Sequence, residues 1–348
     1  MSSALTKQIK KRARSKKDNP EQIVKFFNTG CTLLDLALGG GFAQGALINI
    51  IGDKSSGKTL LTVECLAKNK LDMNSKLKII YDDAEAAFNF NTEEMYGVEF
   101  FDEDFPRSNT IEDFDLNFNK NINKLKDDEK MIYVLDSFDA IGSLAENEKI
   151  VENRKKHEDG KKETGDYNMA KQKKSGQYFR EMVKYMRKKK CSLLIISQVR
   201  ENIGVMFGAK YTRSGGKALD FYASQAIWLA ETAKMIKMDR AIGIRVKARI
   251  TKNKCWKPFR ECFFDILFDY GIDDVTSNIN YLYDLIDKIG KLKSKREKVE
   301  WDNNEYTVSG LVNYIEENNL EEELKKRVIE KWNKIEDSIS PNERKKKY

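Results

Sequence analysis

One octapeptide limits what this chain can fold into more than any other stretch: Gly52-Asp53-Lys54-Ser55-Ser56-Gly57-Lys58-Thr59 fits G-x-x-x-x-G-K-[ST] at every fixed position. An apolar run over 47–51 precedes it, and a stretch of helical period over 59–70 follows. A glycine-rich turn between strand and helix bares backbone N–H groups that can curl round phosphate oxygens, and the helix N-terminus adds its positive dipole. Lys58 can then reach the β- and γ-phosphates, and the Thr59 hydroxyl can face Mg2+. A chance match in a chain of this size would arise on the order of once in a hundred sequences. The octapeptide therefore predicts an ATP site with Mg2+ as its companion ion.

The rest of the chain alternates in the way such a site requires. Short, nearly continuous apolar runs at 47–51, 77–81, 131–135 and 192–197 suit strands buried on both faces. Helical periods at 59–70, 111–125 and 169–190 separate them, which implies an α/β fold with a mainly parallel, doubly wound sheet. Trp228 and the runs 244–250 and 262–268 read as further strands, antiparallel at one edge. Beyond Gly271 the pattern changes to helices over 281–289, 308–318 and 320–335 around a hairpin near Trp301 and Tyr306, a small α+β C-terminal domain. The division expected is a basic N-terminal arm at 1–27, an ATPase core at 28–270, the small domain at 271–337 and a basic tail at 338–348. The tail carries Arg344-Lys345-Lys346-Lys347.

Asp136 ends the apolar run that starts at Met131, the position from which a carboxylate can hold Mg2+ through its water shell. Hydrolysis also needs a carboxylate to orient or deprotonate water. Asp82, Asp83 and Glu85 follow the 77–81 run, at the strand ends where ligands of open α/β sheets bind. Any one of them could instead cap a helix. Gln198 ends the next run; it could sense a γ-phosphate or be an ordinary loop residue.

The 348 residues carry a formal net charge of +8, although 55 acidic residues dilute any uniform field. That balance favours a polyanionic partner, nucleic acid ahead of an anionic membrane surface. No run is long enough to span a bilayer and no apolar leader follows Met1, so a cytoplasmic protein with no membrane partner is expected. Five cysteines without C-x-x-C spacing and a single histidine, His157, offer little for a metal cluster; reduced thiols are expected.

Together these residues resemble the RecA/UvsX-type recombinase family, in a divergent and phage-like form. The resemblance runs over 29–271 and continues into the C-terminal domain. Asp83-Ala84-Glu85-Ala86 is similar to the family segment bearing the catalytic glutamate, which falls on Glu85, and Gln198 falls on the γ-phosphate-sensing glutamine. Asn202-Ile203-Gly204-Val205-Met206-Phe207-Gly208, with Ser214-Gly215-Gly216 after it, resembles the second DNA-binding loop. Lys252-Asn253-Lys254 resembles a pair of lysines that reach a neighbouring subunit's ATP site. Thr92 and Asn89 stand where bacterial members tend to have an aromatic and an acid near adenine, and the first DNA loop region, 147–168, is rich in charge.

What the resemblance implies is a DNA-dependent ATPase with a RecA-like core. It would form homo-oligomeric helical filaments on single-stranded DNA and exchange strands with double-stranded DNA in recombination and repair. Loading or single-strand-binding proteins are further candidate partners. Lys58, Glu85, Gln198, Lys252 and Lys254 would then be catalytic. Arg200, Lys210, Arg213 and Lys217 would meet phosphates, with Gly215 and Gly216 freeing the backbone. Val205, Met206 and Phe207 would wedge between bases, or else anchor the loop. A ring-shaped helicase motor, or a DNA scaffold that uses ATP only as a switch, remains open beside this reading.

Overall fold

Two-residue strands β1 (Phe26–Phe27) and β2 (Phe42–Ala43) pair antiparallel and bracket the short helix α1 (Thr32–Leu38). This helix stops where the glycines predict: Gly39 takes φ +80°, and its N–H reaches the Asp35 and Leu36 carbonyls. The computed structural model of the protein describes residues 24–73, 76–159, 169–201, 211–213, 216–294 and 298–339. After β2 come β3 (Leu47–Gly52), α2 (Lys58–Met73), β4 (Leu77–Asp83), α3 (Thr92–Tyr96), α4 (Ile111–Asn123) and β5 (Lys130–Asp136). Then follow α5 (Leu144–Glu158), α6 (Met169–Met186), β6 (Cys191–Glu201), β7 (Tyr211–Arg213) and α7 (Gly216–Tyr222). The chain continues through β8 (Gln225–Lys237), β9 (Arg240–Asn253), β10 (Glu261–Leu267) and β11 (Gly271–Asp273).

The main sheet runs β11-β10-β9-β8-β3-β6-β5-β4, with β7 beside β6. Strands β8, β3, β6, β5 and β4 are mutually parallel, and β9, β10 and β11 extend one edge antiparallel. The apolar runs are explained by burial on both faces. In β5, Ile132 and Val134 join one core cluster, while Met131, Tyr133 and Leu135 join the other. The α/β class and the antiparallel edge are as the sequence predicts.

The first cluster does not stop at the sheet. It runs on through α8 (Asp274–Leu282), the hairpin β12 (Lys298–Trp301) and β13 (Asn304–Thr307), α9 (Val308–Glu317) and α10 (Glu321–Ser338). Trp301, fully buried, lies under the Arg327 guanidinium at 3.7 Å. Two long-range contacts tie this part to the core. Asp274 caps α1, accepting the Thr32 N–H and hydroxyl at 2.7 Å each. Glu336 of α10 holds Arg260 and Lys257 between β9 and β10.

Three expectations are corrected. The helix placed at 281–289 lies at Asp274–Leu282, because the Asp273 side chain caps it at Thr276 and the backbone turns left-handed at Asp284. Asp82 and Asp83 sit inside β4 rather than after it. Gln198 lies inside β6, which the ladder with β7 prolongs to Glu201. Among the described residues, no helix is long and apolar enough to cross a membrane.

Candidate nucleotide-binding site

The octapeptide joins β3 to α2 at the carboxyl edge of the sheet, as its residue types require. Gly57 adopts φ +82°, a backbone conformation that favours glycine, and a Cβ there would lie 2.4 Å from Ile266 Cδ1 and force that side-chain end to shift. The Asp53 carbonyl folds the loop back on itself: it accepts the Ser56 hydroxyl (2.8 Å) and the Lys58 ammonium (2.6 Å). Burial lowers the Lys58 pKa from its ordinary value, against the pull of Asp136, Glu85, Asp53 and Asp139, which favour its charge. Lys58 thus lies within electrostatic reach of four carboxylates.

Strand register brings the other groups to the same edge. Gly52 is level with Gln198 of β6, and Asp83 of β4 is level with Asp136 of β5. Asp136 is 7% exposed. One oxygen, Oδ2, accepts both the Thr59 hydroxyl (2.9 Å) and the Tyr81 hydroxyl (2.7 Å). Burial raises its pKa, while the two hydroxyls oppose that shift. A hard-oxygen pair one hydrogen bond apart, next to Lys58, fits a Mg2+ ion shared with a triphosphate: Thr59 and Asp136 would hold it, and it would supply charge neutralisation.

The three carboxylates after the 77–81 run separate by environment. Asp82 is fully buried and saturated, accepting the Ser108 N–H (2.9 Å), the Ser108 hydroxyl (2.5 Å) and the Tyr133 hydroxyl (2.7 Å). Asp83 accepts the N–H groups of Ala87 (3.2 Å) and Phe88 (3.0 Å), shaping the turn. Both do the structural work that the sequence left open. Glu85 is exposed, and its Oε1 accepts the Ser137 hydroxyl and the Gln198 amide, the latter at 3.0 Å. Of the three it alone can meet solvent.

Tyr81, Ser137 and Asp139 were not among the site residues expected from the sequence, although each bonds one that was. Ser137 holds Glu85, and Asp139 Oδ2 accepts the backbone N–H of Gln198 at 2.7 Å. The only sequence signal for Ser137 and Asp139 was that they follow Asp136 within three residues.

Lys252 and Lys254 are not brought to this edge. Lys252 is level with Ala226, itself level with Asn49, and the Lys254 N–H bonds Ser224, whose own N–H bonds Leu47. Leu47 lies about 16 Å down β3 from Gly52 at the usual strand rise. Their ammonium groups lie at the end of α7, both donating to the Phe221 carbonyl and Lys252 also to that of Asp220. Arg200 and Arg213 lie on the β6–β7 ladder, and Gly216 and Lys217 open α7. Val205, Met206, Phe207, Lys210 and Gly215 lie outside the described residues, as do the arm over 1–23 and the tail over 340–348. Thr92 is buried at the start of α3 and Asn89 is exposed. In the charge-rich 147–168 region, 147–158 belongs to α5 and 160–168 lies outside the described residues.

The family model for the RecA N-terminal domain matches residues 3–273. Protein RecA of Arthrospira platensis is 31% identical over 316 residues, covering 89% of this chain and 80% of the relative. Protein RecA of Allochromatium vinosum is 34% identical over 252 residues, covering 72% and 67%. That of Leptospira biflexa is 32% identical over 283 residues, and the match spans 64% of its length. Among solved structures, the crystal structure of the RadB recombinase aligns with a TM-score of 0.47 at 19% identity, covering 71% of this chain and 98% of that one.

Proposed function

The chain belongs to the RecA family, and from that premise we propose that it is a DNA-dependent ATPase that assembles on single-stranded DNA and exchanges strands with duplex DNA. One observation carries the reading: the Lys58 loop, the Thr59–Asp136 pair and the Glu85–Gln198 contact converge on one sheet edge.

In this reading ATP lies against the backbone of the 52–59 loop, with Lys58 leaving the Asp53 carbonyl for the β- and γ-phosphates. Glu85 takes the proton of the attacking water as general base, and its exposure lets that water reach it. Gln198, within 3.0 Å of Glu85, senses the γ-phosphate. Its strand runs straight into the β6–β7 ladder, so a shift at Gln198 is passed to Arg200 and Arg213 and to the DNA-binding loop between them. Arg200, Lys210, Arg213 and Lys217 meet phosphates, while Val205, Met206 and Phe207 reach between bases. Lys252 and Lys254, turned from their own chain's phosphate loop, complete the site of a neighbouring subunit in a helical filament. Cytoplasmic action on chromosomal or phage DNA follows from the same reading.

ATP turnover measured with and without single-stranded DNA, beside electron microscopy of the same samples, tests it. Turnover should rise with DNA and helical filaments should form; Glu85→Gln should still bind ATP but hydrolyse it about 10²- to 10⁴-fold more slowly. Closed rings would support a helicase motor, and turnover indifferent to DNA would overturn the proposal.

A further inference from the structure

The turn that follows Asp136 carries the two groups that hold the reactive pair. Ser137 donates to Glu85, and Asp139 accepts the backbone N–H of Gln198 at 2.7 Å. The spacing of Glu85 and Gln198 therefore depends on where this turn sits. Its backbone is fastened to β6, where the Phe138 N–H meets the Ile196 carbonyl at 2.9 Å.

Just beyond the turn the Gly142 backbone bonds Asn109 and Ile111 at 2.9 Å each, and a further fastening, on the turn itself, comes from one side chain. Lys171, in the first turn of α6, donates its ammonium to the Phe138 carbonyl and to the Ile141 carbonyl, each at 2.6 Å. The same ammonium lies 4.2 Å from the centre of the Phe138 ring, a cation–π distance. The Phe138 ring packs in turn near Phe179 of the same helix, at 5.9 Å between centroids. Hydrogen bonds from a charged donor are about twice as strong as neutral ones, and a half-buried ammonium spread over two carbonyls resists displacement. The Lys171 backbone is itself held, its N–H bonding Glu146 of α5 at 3.3 Å. Helix α6 then runs into β6, the strand that bears Gln198. Turn, helix and strand form a closed loop with Lys171 as its clasp.

We infer that Lys171 is a positioning residue for ATP hydrolysis, setting the distance between Glu85 and Gln198 through the turn at 137–141. The inference rests on the reading of Glu85 as general base and Gln198 as γ-phosphate sensor, and it assigns Lys171 no contact with nucleotide. Displacing a reacting group by 1 Å can cost about a hundredfold in rate, so loss of the clasp is felt in turnover rather than in binding.

The test uses the full chain with single-stranded DNA. Lys171→Met keeps the length of the side chain and removes its donors; Lys171→Arg restores donors. Lys171→Met should lower kcat by about ten- to a hundredfold with KM for ATP within about twofold, and Lys171→Arg should recover most of the loss. Combined with Asp139→Ala, Lys171→Met should cost less than the two single losses multiplied, because both act through one turn. A purely structural role would show otherwise: a lowered thermal midpoint and less nucleotide bound, with kcat per bound nucleotide unchanged. That result, or multiplicative losses, overturns the inference. If Glu85→Gln hydrolyses at the wild-type rate, it is the underlying reading that fails, whatever Lys171→Met does.

Discussion

Asp35 lies on α1 at 2% exposure, where its Oδ1 accepts the Thr29 N–H at 3.0 Å. Burial pushes its carboxyl up to about 8; the Thr29 hydrogen bonds oppose the shift and nearby Asp274 adds to it. The folded protein therefore keeps a proton that the unfolded chain releases above about pH 4. Stability from this group is full below about pH 4, declines as pH rises, and is lost above about pH 8. Asp35→Asn imitates the neutral acid and should remove that decline. Thermal midpoints of mutant and wild type should diverge in the mutant's favour from about pH 5 to about pH 8, then run parallel. Parallel curves over the whole range would mean that Asp35 titrates normally. Such a residue was out of reach of pattern reading: an Asp in an apolar run of helical period looks like the solvent side, and only packing shows that no solvent side exists.

At the scale of elements, α1 begins without a cap of its own: Cys31 at the N-cap makes no side-chain bond to the helix. Asp274, 242 positions away from Thr32, does that work from the first turn of α8, with Asn278 (3.0 Å) held to the same carboxylate. Asp274→Ala should therefore cost about 1–2 kcal/mol, the usual worth of a helix cap, and Asp274→Asn less. Urea midpoints of the three proteins decide it; equal midpoints would show the cap to be idle. Elements with local causes were legible: the glycines that end α1, the apolar strands, and the strand-turn-helix of the phosphate loop. The misplaced helix at 281–289 shows the limit. Its residues have helical spacing, yet the Asp273 cap and the turn at Asp284 set the helix seven residues earlier. Strand β6 likewise outruns its apolar stretch because β7 supplies hydrogen bonds that no property of 198–201 announces.

Over the whole molecule, the sheet sets Lys58 at one end of β3 and Lys254 level with the other. A residue in each of two places within one chain can serve one reaction only if chains stack head to tail. Lys58→Ala and Lys254→Ala should each be inactive alone, yet an equal mixture should regain activity at about a quarter of its interfaces, where both intact lysines meet. No recovery from co-assembling, folded mutants would show that each chain acts alone. The amino-acid sequence by itself determined the glycine-rich loop, the α/β class and Asp136 as a candidate, because those signals are local: glycine geometry, strand burial and residue type at a strand end. Glu85 and Gln198 were singled out by resemblance to the RecA family rather than by residue type. Only the tertiary structure decided that Asp82 and Asp83 are spent on the scaffold, that Glu85 meets Gln198 across 113 residues, and that Ser137 bonds the one and Asp139 the other. The physical reason is register: which side chains share the sheet edge depends on how parallel strands slide against one another, and that is fixed by packing on both faces of the sheet rather than by neighbours in the chain.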